Sequence, residues 1–249
     1  MISLQYTFAV GSNRIVLALT RHWVAVFLIA WGLFVGAPWL APVFMRAGLP
    51  GAANTIYLIY STQCHQLPER SFFLFGPKAM YSLQEIRAVW PYSAEVVGLR
   101  RFIGNDEMGW KVAWSDRMVS MWTSIWFGGL LYAILGKRMK PLPVWAFVLM
   151  TAPMAIDGST HFLADITGPA FGAGFRDTNA WLAALTGNAF TPTFYAGDAI
   201  GSFNSWMRLV TGALFGLGSA WVSLPYLDEF FTDARVAIEE KFVRAGIAA

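Results

Sequence analysis

The sequence predicts an all-α, polytopic integral membrane helix bundle of about four spans, with a re-entrant or interfacial motif segment and an amphipathic C-terminal helix. Three observations carry that prediction. Charged residues make up only 13% of the 249, against roughly 25% in an ordinary soluble domain, while 56% are hydrophobic and the mean hydropathy is +0.48. Four apolar runs, each with at most one charge, approach the roughly 20 residues that a helix needs to cross a bilayer. After Asp228 the tail places Leu227, Phe231, Ala234, Ile238 and Phe242 on one helical face, a pattern suited to a membrane surface.

The elements follow in chain order, within a single membrane domain covering residues 1–249. Residues 1–22 are mixed and hold Arg14 and Arg21 without an acid. The first span is 23–44, read as a retained span and not a removed signal peptide because no small-residue cleavage site follows a short apolar core. Pro38 and Pro42 predict a kink at its far end. Residues 52–64 read as a short helix. Continuing it through 75 would bury Glu69 and Arg70 in lipid, at about 2.5–3.5 kcal/mol for each central charge, so the segment is interfacial or re-entrant with 72–75 dipping back.

Residues 76–116 read as a surface insertion. Ser82-x-x-Glu85 is a capping box opening a helix that ends before Pro91, a second helix covers 93–103, and Gly104-Asn105-Asp106 is a turn. Spans at 118–135 and 142–162 flank a hairpin carrying Lys137, Arg138 and Lys140. Residues 164–205 form a Gly-, Thr- and Phe-rich loop. The fourth span, 207–224, carries Gly212-x-x-x-Gly216, a spacing that allows close helix contact, and the amphipathic tail occupies 226–245.

Four spans place both termini and the basic hairpin on one side. The other side receives Cys64-His65-Gln66, Arg70, Ser71, the Arg117 end of the second span, the Asp157 end of the third with Thr160 and His161, and Asn204 with Arg208. Eight Lys and Arg residues fall on the termini side against ten on the other. Short loops next to span ends weigh most, so the compact hairpin places the termini in the cytoplasm and the motif face outside.

Ionisable groups near a bilayer mark functional sites by default. Cys64, His65, Asp157 and His161 offer S, N, O and N donors of the types zinc accepts. Against that, Asp157 and His161 can hydrogen-bond across helices while Cys64 packs. Arg70, Arg117 and Arg208 suit a phosphate or carboxylate, or pair with Glu69, Asp116 and Asp157. Asp165, Asp177 and Asp198 read as a solvated loop.

One cysteine excludes an intramolecular disulfide, a Cys-x-x-Cys pair and a four-cysteine zinc cage. No basic tract points to nucleic acid. Motifs for nucleotide phosphates, a serine-hydrolase elbow and a metalloprotease helix are absent.

At Cys64-His65-Gln66 with Pro68-Glu69-Arg70-Ser71-Phe72-Phe73, Asp157-Gly158-x-Thr160, and Asn204 to Arg208 with Thr211-Gly212 and Gly216, the chain resembles the bacterial and archaeal membrane-protein family known as domain of unknown function 2085. The family's Cys-x-Arg-Cys stands here as Ser115-Asp116-Arg117-Met118, and its usual Gln after Asp-Gly-x-Thr is His161. The resemblance implies a prokaryotic cytoplasmic membrane protein and brings no activity with it. Two functions follow as expectations. One is a non-catalytic membrane subunit or lipid- or ligand-binding protein with a polar site at one membrane face. The other is a zinc-assisted membrane hydrolase acting on a lipid-like anionic substrate. Expected partners are membrane lipid and further membrane subunits, through the Gly212/Gly216 face and the large aromatic surface, which also fits pigment-like and lipid ligands.

Overall fold

The computed structural model describes residues 2–92, 95–168 and 172–247. Two consecutive helices open it, α1 (Ile2–Arg21) and α2 (Trp23–Arg46). Pro38 inside α2 has no N–H, so the Phe34 carbonyl loses its helical donor. Tyr60 Oη supplies the missing bond at 2.7 Å. Tyr60 is the last residue of α3 (Pro50–Tyr60), so a hydroxyl on a returning helix satisfies a backbone group that lipid could not.

A small cap follows. It contains β1 (Ser71–Leu74), α4 (Leu83–Val89), α5 (Val96–Arg100), β2 (Gly104–Asn105) and β3 (Gly109–Ser115), with the strands antiparallel in the order β1-β3-β2. Residues 72–74, expected to dip back towards lipid, belong to edge strand β1. The capping box forms at α4, where Glu85 N–H donates to Ser82 Oγ and Ser82 N–H to Glu85 Oε2. The expected 93–103 helix is α5 over 96–100, and residues 93–94 lie outside the described residues.

The surface reading of 76–116 fails at its end. Lys111, Val112, Ala113 and Trp114 of β3 are fully buried, with Phe34, Tyr60 and Trp122 packed around the Trp114 ring. A strand covered on both faces lacks the alternation that would reveal it.

β3 runs straight into α6 (Asp116–Leu135). A short hairpin leads to α7 (Val144–Thr167), and the segment expected to be a loop contains α8 (Phe175–Thr178), α9 (Ala180–Leu185) and α10 (Pro192–Tyr195). The chain ends in α11 (Phe203–Arg244), which continues unbroken through Pro225, so the expected fourth span and the tail are one helix. Among the described residues, three helical stretches are long and apolar enough to cross a membrane: Trp23–Arg46, Asp116–Arg138 and Phe203–Arg244.

α7 is as long as α2 but carries Asp157, His161 and Asp165. It covers the same depth of the bundle as its neighbours. Trp221 of α11 donates to the Lys140 carbonyl just before α7, Met150 packs where Gly218 leaves room, and Asp157 reaches Arg117 in the first turn of α6.

α2 runs antiparallel to α6, with Trp23 against Tyr132 and Trp31 Nε1 donating to the Trp122 carbonyl. α6 and α11 run parallel. Gly212 sits against Arg117 and Met121, and a Cβ at Gly216 would overlap the Met121 carbonyl oxygen. The small-residue face expected to meet a partner subunit is therefore filled by α6 of the same chain.

The end of α11 lies along α1. Leu17 packs on Ile238 and Phe242, Arg21 donates to Glu239 at 2.8 Å, and Phe231 stacks on Trp23. Three members of the tail's apolar stripe are thus covered from within the chain. Outward-facing Ile29, Leu33, Phe127, Leu131, Ile134, Leu149, Ile156 and Phe162 are exposed, as lipid-facing side chains are. The protein is a helical integral membrane bundle with a small three-stranded sheet at one end.

Candidate functional site

α6 and α11 begin at the cap-side face of the bundle, and α7 ends there. Asp116 opens α6, where a carboxylate complements the positive helix end and accepts the Arg117 N–H at 2.8 Å. The same carboxylate takes both arms of Arg208, from Nε at 2.7 Å and Nη2 at 2.9 Å, and the Ser205 hydroxyl at 3.2 Å. Arg208 Nη1 donates to Asp198, whose other oxygen accepts from Arg70 Nε at 3.0 Å. Arg70, Asp198, Arg208 and Asp116 therefore form one alternating chain of charge from the cap into the bundle. Burial pushes the Asp198 carboxyl upward, but Arg70 and Arg208 outweigh it and hold it below the usual range. Burial likewise works against the Arg70 cation, and Asp198, Glu69 and Asp165 more than compensate.

A second network centres on Asp157, which is 1% exposed and accepts from Arg117 Nη2 and Arg176 Nη2 at 2.6 Å each. Arg176 also donates to Thr160 Oγ1 at 3.1 Å and Asn204 Oδ1 at 3.1 Å, and its Nη2 lies 3.2 Å from His161 Nε2. Asn204 Nδ2 returns a bond to the Arg176 carbonyl at 2.7 Å. Asn179 Nδ2 donates to the same Asn204 oxygen at 3.2 Å. Removing one partner of a buried, hydrogen-bonded ion pair costs about 3–5 kcal/mol, so these contacts hold α6, α7, α8 and α11 in register.

The Cys-His-Gln stretch shapes the cap side. Cys64 Sγ accepts from the backbone N–H of Gln66 at 3.3 Å and of Ser115 at 3.4 Å. Gln66 takes a left-handed backbone (φ 53°), and its Nε2 donates to the carbonyls of Tyr57 and Ala113 at 2.9 Å each, joining α3 to β3. Ser71 Oγ closes the loop on the Leu67 carbonyl and takes no part in the charged networks. Behind them lie two buried ionisable groups. Lys111 Nζ donates to the carbonyls of Gln66 and Arg100, and burial lowers its pKa to about 7. Glu69 is 2% exposed with no hydrogen-bond partner for either carboxylate oxygen among the described residues. Burial, only partly offset by Arg70, raises its pKa to about 7.

Between these parts lies a cavity of about 320 Å³. Its wall includes Cys64, His65, Arg70, Arg117, His161 and Phe162, with Asp165 and Arg208. The structure thus brings Cys64, His65, Gln66, Arg70, Arg117, His161 and Arg208 to one cavity, with Asp157, Thr160 and Asn204 immediately behind. Ser71 stands apart.

The expected zinc set needs correcting. Among the described residues, no group of three or more His, Cys, Asp or Glu side chains is placed to hold a metal. Asp157 spends both oxygens on arginines, His161 Nε2 faces Arg176, and the Cys64 sulfur faces backbone N–H groups. Asp198 also departs from expectation: it is a buried bridge between two arginines and not part of a solvated loop.

Sequence reading missed Arg176, Asn179 and Lys111. Arg176 and Asn179 bound the polar run Arg176-Asp177-Thr178-Asn179 and Lys111 stands alone among apolar residues, and neither setting names a partner.

Residues 107–196 match the model of a family described as "Predicted membrane protein (DUF2085)". An uncharacterized protein of Methanocaldococcus jannaschii, MJ1492, is 24% identical over 185 residues, covering 70% of this chain and 90% of that one. No solved structure matches the chain. The matched stretch contains Arg117, Asp157, Thr160, His161 and Arg176. It leaves out Cys64-His65-Gln66, Asn204 and Arg208.

Proposed function

We propose that this chain is a non-catalytic membrane binding protein that holds an anionic ligand in the cavity between cap and bundle. The observation that carries this reading is the charge on the wall: Arg70, Arg117 and Arg208 against the single carboxylate of Asp165. The other carboxylates, Asp116, Asp157 and Asp198, sit behind the arginines and orient them. The N-termini of α6 and α11 point to the same region, adding partial positive charge. In this proposal α7 is a fourth crossing, both termini are cytoplasmic and the cavity opens on the outer face of a prokaryotic cytoplasmic membrane. The depth match of α7 with α6 and α11, and the basic hairpin at Lys137 to Lys140, support that arrangement.

Thermal unfolding of the purified protein against a panel of anionic and neutral small molecules and lipids tests the proposal. A ligand that binds only the folded state stabilises it by about 2.7 kcal/mol at a hundredfold excess over its Kd. At least one anion is expected to raise the midpoint, and Arg117→Gln to abolish that rise. A wild-type protein indifferent to every anion would rule the reading out.

A further inference from the structure

Two groups on the cavity wall have unused hydrogen-bond donors. Arg176 is a guanidinium and can only donate; its Nη2, whose two hydrogens also serve Asp157 and Asn204, lies 3.2 Å from His161 Nε2, so that nitrogen faces a donor and takes the accepting role in a shared bond. A neutral imidazole carries one N–H, and with Nε2 bare that proton belongs to Nδ1. His161 is 4% exposed and lines the cavity, and its Nδ1 is closed to water with no hydrogen-bond partner among the described residues, so a ligand oxygen reaches it on a small turn of the ring. An orphaned buried donor of this kind is costly unless something accepts from it. The second group is Arg117. Its Nη2 is spent on Asp157, while Nε and Nη1 meet no acceptor among the described residues. Gly158 keeps space beside that free edge, since a Cβ there would stand 3.0 Å from Nη1.

These donors come from two helices, α6 and α7, with Arg70 of the cap further round the wall. Donors converging from several directions suit a tetrahedral oxyanion whose oxygens point several ways. A carboxylate needs a single planar fork. Phe162, also on the wall, is 64% exposed on the outward side of α7, so the cavity borders the surface that faces lipid.

We infer that the cavity is a phosphate site in which His161 Nδ1–H and the free edge of Arg117 receive the phosphate oxygens, with His161 as the residue that reads the ligand. The inference rests on the anionic-ligand reading above and narrows it. Asp157 and Arg176 act as positioning residues: one orients Arg117, the other fixes the tautomer of His161. The phosphate belongs either to a lipid headgroup entering beside Phe162 or to a small soluble molecule.

The full-length protein, labelled with 15N-histidine in detergent micelles, tests this directly, because the chain has only three histidines. Inorganic phosphate and phosphatidylglycerol are the phosphate probes; acetate and diacylglycerol are the controls. The His161 ring is expected in the Nδ1–H form before any addition, and that resonance shifts with a phosphate probe and with neither control. A shift with inorganic phosphate identifies a soluble source, and a shift with phosphatidylglycerol alone identifies a headgroup. His161→Phe is expected to weaken binding by about tenfold or more, as loss of a hydrogen bond to a charged group does. His161→Gln keeps one acceptor for Arg176 and one donor for the ligand, and is expected to rescue binding.

An Nε2–H tautomer in the wild-type protein would overturn the inference without any variant. Unchanged phosphate binding in His161→Phe, with loss in Arg117→Gln, would remove His161 from the site and leave the cationic cavity standing. Binding of acetate with no response to either phosphate probe would remove phosphate as the ligand class. A wild-type protein that binds none of these anions would end both readings.

Discussion

Replacing Glu69 by Gln isolates a buried carboxylate whose cost depends on pH. Glu69 is fully buried in the cap, its oxygens have no hydrogen-bond partner among the described residues, and burial raises its pKa from 4.5 to about 7. The folded state therefore holds a proton at pH values where the unfolded chain has released it. Glu69 contributes no penalty below the unfolded value, and stability falls as pH climbs from about 4.5 to about 7. At about 1.4 kcal/mol per unit, the full shift corresponds to about 3 kcal/mol, of which about 2.5 kcal/mol falls between about pH 5 and about pH 8. Glu69→Gln keeps the shape and removes the titration. Its unfolding midpoint in mild detergent, followed through tryptophan fluorescence, is expected to exceed that of wild type at the higher pH, with the difference shrinking as pH falls. Lys111, lowered from 10.5 to about 7 by burial, acts in the next window: its folded form loses the proton first, so wild type regains stability from about pH 7 upward. The two groups together set a stability minimum near neutrality. A wild-type-minus-variant difference that stays flat between about pH 5 and about pH 8, or grows towards acid, would refute the claim that Glu69 is buried without a hydrogen-bond partner.

Two further outcomes follow from packing and from charge placement. Gly216→Ala places a methyl on the Met121 carbonyl and is expected to cost about 1–3 kcal/mol, while Gly36→Ala, with nothing within 4 Å of the new methyl, is expected to be neutral or stabilising by about 0.5–1 kcal/mol; equal effects in the same unfolding assay would show that α6 and α11 are not in close contact. In a Cys64→Ser background, Lys137→Cys is expected to react with a membrane-impermeant thiol reagent only when the cytoplasmic side is opened, and labelling of intact cells would reverse the proposed orientation.

The long helices are legible locally because a spanning helix must satisfy its backbone within itself and present apolar side chains along its length. The runs at 23–44 and 118–135 therefore announce themselves, and Tyr60 bonding to Phe34 only repairs what Pro38 removes. β3 is different. Its Lys111 reads as an exposed residue, and nothing nearby in the chain says that the carbonyls of Gln66 and Arg100 will accept its hydrogen bonds. The tail is intermediate: its apolar stripe is plain, but the coverage of Ile238 and Phe242 by Leu17 depends on α1 folding back along α11.

The site divides along the same line. By itself the sequence determined that Arg117, Asp157, His161, Asn204 and Arg208 stand towards the ends of long apolar stretches, since such stretches leave few places for polar residues to lie. Only the tertiary structure decided which of them are occupied and which are open. Arg208 is held by four bonds to Asp116 and Asp198, whereas Arg117 has a free edge among the described residues and His161 Nε2 faces Arg176. Arg208 meets Asp116 across 92 positions and Arg176 meets Asp157 across 19. A buried polar group takes its chemistry from whichever partner the fold brings within about 3 Å. Hydrophobic periodicity places the helices that make that approach, and it carries no record of the pairing.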